Sequence, residues 1–192
     1  MKKKGLWITL AVVLVVVIAI VGSFASSYNK FVSMEEKVES ASADISVYLQ
    51  RRADLIPNFV NSVKGYSDYE QETYTAVTEA RAAVSKADDV DEQAAASAQL
   101  DRAIDVWVNA VTEAYPELKA NEQYIALQDE LAGSENRIAT ARKDYNETAR
   151  EYNNAVRRFP SNIVAALFDF DKAEYFESDD SASEVPTVDF KK

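Results

Sequence analysis

The chain has 192 residues, with four glycines, four prolines and neither cysteine nor histidine, and its formal net charge is -11. Without cysteine there can be no disulfide, thiolate nucleophile or Cys-ligated metal, and without histidine the usual general base, the Ser-His-Asp and Cys-His arrangements and nearly all zinc sites are gone. The acidic balance argues against nucleic acid as a partner. Few turn-forming residues beside abundant Ala, Glu, Gln, Lys and Leu exclude an all-β fold and point to an all-α one.

Residues 1–5 are basic through Lys2, Lys3 and Lys4, and Leu6 to Phe24 then runs LWITLAVVLVVVIAIVGSF without a charge. As a helix at about 1.5 Å per residue this run spans roughly 28 Å, close to the hydrocarbon thickness of a bilayer. It is expected to be a transmembrane helix over 6–24, with Trp7 as an interfacial anchor. Lysines precede it and Glu35, Glu36 and Glu39 follow it, so the positive-inside bias puts 1–5 in the cytoplasm and everything after Phe24 outside. A cleavable signal peptide is the competing reading, since Ser23 and Ala25 suit a peptidase. An apolar run longer than a signal h-region favours an anchor, and no lipidation motif supplies another.

Beyond the head, Phe31, Met34, Val38, Ala41, Ile45, Tyr48, Arg52 and Leu55 alternate by three and four, a heptad stripe on one long helix. Pro57 predicts a break near Ile56. A second stripe follows in Phe59, Val60, Val63, Tyr66, Tyr74, Val77, Ala80 and Val84, with Gly65 as a weak spot and Ser67 and Glu70 in capping-box spacing. Ser85 to Glu92 reads as a polar turn. A third helix is predicted from about Asp91 to Ala114 with Leu100, Ala103, Ile104, Trp107, Val108 and Val111 inward, ended by Tyr115-Pro116.

Asn121 has the character of an N-cap for the longest helix, whose seam is Tyr124, Leu127, Leu131, Ser134, Ile138, Ala141, Tyr145, Thr148, Tyr152, Ala155 and Phe159. The tyrosines are expected to keep their hydroxyls at a wet edge. Pro160 stops this helix, and Ser161 is placed to cap a short one through Phe168. Four amphipathic pieces joined by short connections satisfy one another as an antiparallel up-down-up-down four-helix bundle with long helices over 25–168. Residues 169–192, rich in Asp and Glu, are expected to form a largely disordered tail.

Little in the chain suggests chemistry. Carboxylates are numerous enough to face one another by chance, but the Glu-x-x-His pattern of di-iron bundles cannot occur, and Asp88, Asp89, Asp91 and Glu92 lack the rhythm of a calcium loop. Asn146-Glu147-Thr148 is a glycosylation triplet lying mid-helix, and Gly133 reads as a packing or bending point. No catalytic, cofactor-binding or metal-binding residue is assigned. The segment that stands out is Gln50 to Asn58, where Arg51, Arg52, Asp54, Pro57 and Asn58 crowd the expected helix break. They form a candidate partner-contact cluster, although Arg52, in an apolar-phase slot, is better explained by snorkelling or by pairing with a carboxylate at the bundle's end.

RRADLIPNFVNSVKGY (51–66), TEARAAV (78–84), YPELKANEQYIALQDELAGSENRIATARKDYNETAREYN (115–153) and RRFPSNIVAALF (157–168) closely resemble the LemA family. The leading apolar helix, Tyr28-Asn29 and Val188-Asp189-Phe190 fit the same pattern, so the resemblance spans essentially the whole chain. It departs at Ala132-Gly133-Ser134, where Glu-Gly-Thr is common, and in its more acidic tail. The resemblance implies a bacterial, single-pass membrane protein with an extracytoplasmic four-helix bundle, no catalytic residues or cofactor to carry over, and a poorly defined biochemical role.

The function expected on these grounds is non-enzymatic: a cell-membrane anchored scaffold or regulator that presents helical faces to another envelope protein, whose identity the residues do not give. Two alternatives belong to other classes. One is a carboxylate-based cell-wall hydrolase or ligand binder, which needs two carboxylates in one concave pocket. The other is a self-assembling structural protein whose seams pair between copies as a homo-oligomeric coiled coil.

Overall fold

The computed structural model of the protein describes residues 2–63, 71–87 and 89–176. The described residues are helical apart from short connections and an irregular stretch over 168–176: α1 (Lys2–Val63), α2 (Gln71–Val84), α3 (Val90–Ala114), a 3₁₀ turn (Pro116–Ala120), α4 (Glu122–Arg157) and α5 (Ser161–Leu167). Tyr66, the Ser67 and Glu70 spacing, Asp88 and the tail beyond Phe176 lie outside the described residues.

The ends of the helices follow local chemistry. Asp89 Oδ1 accepts the Glu92 N–H at 2.7 Å to open α3, and Pro116 closes it. The 3₁₀ turn that follows buries Leu118 completely. Asn121 caps α4 as expected, its side-chain oxygen accepting the N–H groups of Gln123 (3.0 Å) and Tyr124 (3.1 Å). The predicted break at Ile56 does not occur: α1 continues through Pro57 to Val63. A proline inside a helix forfeits one backbone bond and costs about 3 kcal/mol. Here Ala53, Ile56, Phe59 and Val60 are all buried around it, and that packing holds the helix together.

The chain divides into two compact units, to each of which α1 and α4 contribute: residues 1–41 with 146–174, and residues 42–145 with 175–192. In the first, α1 begins with a head whose apolar side chains are exposed, from Trp7 (73%) through Val21 (61%). That head is long and apolar enough to cross a membrane. The core of this unit is Phe31, Tyr152, Val164, Ala165 and Phe170, with Phe24, Met34 and Val38 packed against it.

Two expectations for this unit are corrected. Phe159 stands 77% exposed just after α4 ends, outside the seam. Ser161 does not cap α5; its hydroxyl donates to Ala155 O in the last turn of α4 at 2.8 Å and to Arg158 O just past it at 2.7 Å, where orphan acceptors need a donor.

The expected disorder from Asp169 is corrected as far as Phe176. Asp169 takes a left-handed φ of 55°, a conformation aspartate tolerates, and turns the chain back so that the Phe170 N–H bonds Ala165 O at 3.0 Å. Phe170 thereby enters the core against Phe31, ring centroids 5.1 Å apart. Asn153 then clamps Ala173 through its amide, donating to the carbonyl and accepting from the N–H, each at 2.8 Å.

The second unit is built on Phe59, which packs edge-on to Trp107 (5.2 Å) and stacks on Tyr124 (5.1 Å). Tyr124 does not reach a wet edge: it is 1% exposed. The Thr112 hydroxyl donates to Val108 O at 2.6 Å, so the Tyr124 hydroxyl, 2.7 Å from Thr112 Oγ1, must be the donor in that pair. Gln128 Nε2 donates to the same phenol at 3.4 Å.

Candidate functional site

In the second unit the helix geometry separates the residues crowded between Arg51 and Asn58. Arg51, Asp54 and Asn58 follow one another by three and four and share one exposed stripe of α1, while Pro57 is half-buried. Arg51 pairs with Glu130 of α4 at 2.9 Å, and Arg137 closes on the same carboxylate at 3.0 Å. Asp54 accepts from Gln50 at 3.0 Å and lies 3.6 Å from Arg81 of α2. Exposed pairs of this kind are worth about 0–1 kcal/mol each, so they orient side chains more than they hold the fold. Asn58 lines a shallow groove of about 480 Å³ with Asn61, Ser62, Gln123, Ala126 and Leu127.

Arg52 points the other way. It is 3% exposed, with Nη1 bonded to Asp101 of α3 and Nη2 3.9 Å from Glu135 of α4. Arg142 joins this layer, its guanidinium lying 5.6 Å from the Phe176 ring. Gln93 reaches the Ser46 hydroxyl at 3.0 Å, and Ser134 donates to Leu131 O at 2.7 Å. Burial raises the Asp101 carboxyl above its ordinary 3.8; Arg52 pulls it down, Glu135 pushes it up, and burial prevails. Burial likewise lowers Arg142, against the pull of Asp101. Arg52 Nε, Arg142 Nε and Nη2, Gln93 Oε1 and Ser97 Oγ are buried with no hydrogen-bond partner. Such a layer stabilises little, but it penalises every register in which the charges fail to meet.

The family model for the LemA family matches residues 41–190. The chain belongs to the LemA family. It is similar to Protein LemA of Metamycoplasma hominis, 28% identical over 84% of this chain and 72% of that protein. It is also similar to Magnetosome protein MamQ 2 of Paramagnetospirillum magneticum, at 25% identity over 90% of this chain and 72% of the relative. Magnetosome protein MamQ of Magnetospirillum gryphiswaldense is 22% identical over 98% of this chain and 78% of its own, an alignment long enough to take in the apolar head of α1.

In this LemA-family chain the sequence pattern marked Arg52 and Ser134 as polar residues in apolar phase, but not Gln93, Ser97, Asp101, Glu135 or Arg142. A signal existed for two of these: stepping back by three and four from Leu100 reaches Ser97 and Gln93, both buried. Asp101 and Arg142, half-buried, lie beside the seam and reach into it with long or angled side chains, which periodicity does not register, while Glu135 is exposed and touches only its edge. Gly133 is half-buried, and a Cβ there would meet only the Arg137 guanidinium at 3.4 Å, so close helix packing does not require it.

Proposed function

We propose that this chain is a membrane-anchored envelope protein without catalytic activity of its own, which holds a helical surface outside the cytoplasm for another protein to grip. In this reading residues 6–24 span the bilayer, 1–5 stay inside, and the rest is an extracytoplasmic bundle of four long helices running up and down. The observation that carries it is the contrast along α1: an uncharged, exposed apolar head, then an inward Arg52 paired with Asp101 and an outward stripe of Arg51, Asp54 and Asn58. The groove beside that stripe offers three carboxamides, Asn58, Asn61 and Gln123, next to Ala126 and Leu127. Carboxamides both donate and accept, which suits a polypeptide backbone. Two further grooves, beside Gln93 and beside Lys30, bring in one carboxylate between them, Glu151, where hydrolysis of a glycan would need a facing pair.

The test is photo-crosslinking in intact cells from probes near Asn58 and Gly133, repeated with Arg51→Ala and Asn58→Ala. Capture of one envelope protein from the Asn58 position, lost in the alanine variants at unchanged helicity, is the expected result. Adducts only between copies of the chain would replace the adaptor by self-assembly, and capture of wall glycan would revive the carboxylate alternative.

A further inference from the structure

Where the first unit leaves the apolar head, it carries an uncovered apolar edge. Phe159 (77% exposed), Ile163 (50%) and Leu167 (63%) follow one another by four residues, so α5 and the turn before it present one outward row, while Val164 and Ala165 face the core. Phe168, 48% exposed, ends the row. Large apolar side chains grouped this way mark a surface meant to be covered.

Its position says by what. The Phe168 ring meets Tyr28 edge-on at 4.9 Å, and Phe24, the last residue of the uncharged run, packs on the same core as Val164 and Phe170. Tyr28 lies four residues beyond Phe24, about 6 Å along the helix axis. That puts the ring at headgroup level, just outside the hydrocarbon, where amphipathic aromatic rings settle and from which an interfacial helix dips its apolar face inward. Cations stand at the same level: Arg157 and Arg158 are exposed at the end of α4, and Lys30 shares a groove with Arg158, Ser27 and Glu151. Arginines beside an apolar row match lipid phosphates above acyl chains.

We infer that the α5 corner is a second, monotopic contact with the lipid bilayer: Phe159, Ile163, Leu167 and Phe168 lie in the interfacial layer of the leaflet that α1 leaves, with Arg157, Arg158 and Lys30 against phosphates. The inference rests on the reading of 6–24 as a spanning helix. The chain then touches the membrane twice, and the second contact limits how far α1 can tilt in the bilayer.

The absence of native cysteine allows spin labels to be placed singly in the full chain, at Val13→Cys, Glu36→Cys, Ile163→Cys and Leu167→Cys, reconstituted in vesicles of phosphatidylcholine and phosphatidylglycerol. Collision with oxygen relative to a water-soluble nickel complex reports depth. The ratio at 163 and 167 should exceed that at 36 several-fold and approach that at 13. A water-like ratio at 163 and 167 with a lipid-like one at 13 overturns the foot and leaves the anchor standing. A water-like ratio at 13 overturns both, and labels at 163 and 167 shielded from both quenchers would show that protein, not lipid, covers the row.

Discussion

The two units solve the same packing problem with opposite interiors. The first fills its centre with rings and aliphatic side chains, Phe31, Phe170, Tyr152 and Val164, and the buried amide of Asn153 is satisfied by backbone. The second also buries rings, but sets a layer of charge across its helices at Arg52, Asp101, Glu135 and Arg142 and leaves several of its polar atoms without partners. An apolar centre gives stability and tolerates sliding; a charged one gives little stability and punishes sliding. The unit with the charged layer is also the one that carries the Arg51, Asp54 and Asn58 stripe, whose Arg51 and Asp54 meet Glu130 of α4 and Arg81 of α2.

The contrast breaks most sharply at Asp101. Asp101→Ala leaves the buried Arg52 guanidinium only the exposed Glu135 at 3.9 Å and should lower unfolding free energy by about 3 kcal/mol, whereas the joint Arg52→Met, Asp101→Leu replacement should restore most of that loss. Denaturant titration of the full chain in detergent measures both, and equal damage from the single and joint variants would mean that the layer is not acting through its charge. Next in size is Asn153→Ala in the first unit, which removes two hydrogen bonds whose partners can rehydrate and should cost about 1–2 kcal/mol by the same titration. No change there would dismiss the clamp.

The smallest effect is one of pH. Because the folded chain holds the Asp101 proton more tightly than the unfolded chain does, its contribution is fully present below the unfolded value and lost as pH rises through the folded one. Stability relative to Asp101→Asn should therefore decline as pH climbs from about 4 toward neutrality. A flat difference would show that Arg52 cancels the cost of burial.

Most helices were legible in the sequence because their signals are local: Asn121 as a cap, Pro116 as a stop, the three-four stripes as buried faces. Pro57 misled because the cost of a proline is local whereas the burial of Ala53, Ile56, Phe59 and Val60 that offsets it is tertiary. The end of the fold was placed too early because Asp169 reads as one more acid in an acidic tail, while its role depends on a left-handed turn for which glycine is the usual signal. For the site, Arg52 could be singled out by its phase, and its partners could not, since which carboxylate meets it depends on how helices far apart in sequence align.

The amide of Asn153 grips Ala173 by its backbone, imitating one more rung of peptide hydrogen bonding. A grip of that kind is blind to charge. Lys172, exposed beside it, can change in composition without loosening the strap, but the spacing from the Asp169 turn to Ala173 cannot change. In this stretch the chain tolerates changes of residue type and resists changes of length, so insertions and deletions, rather than substitutions, are what would unfasten it.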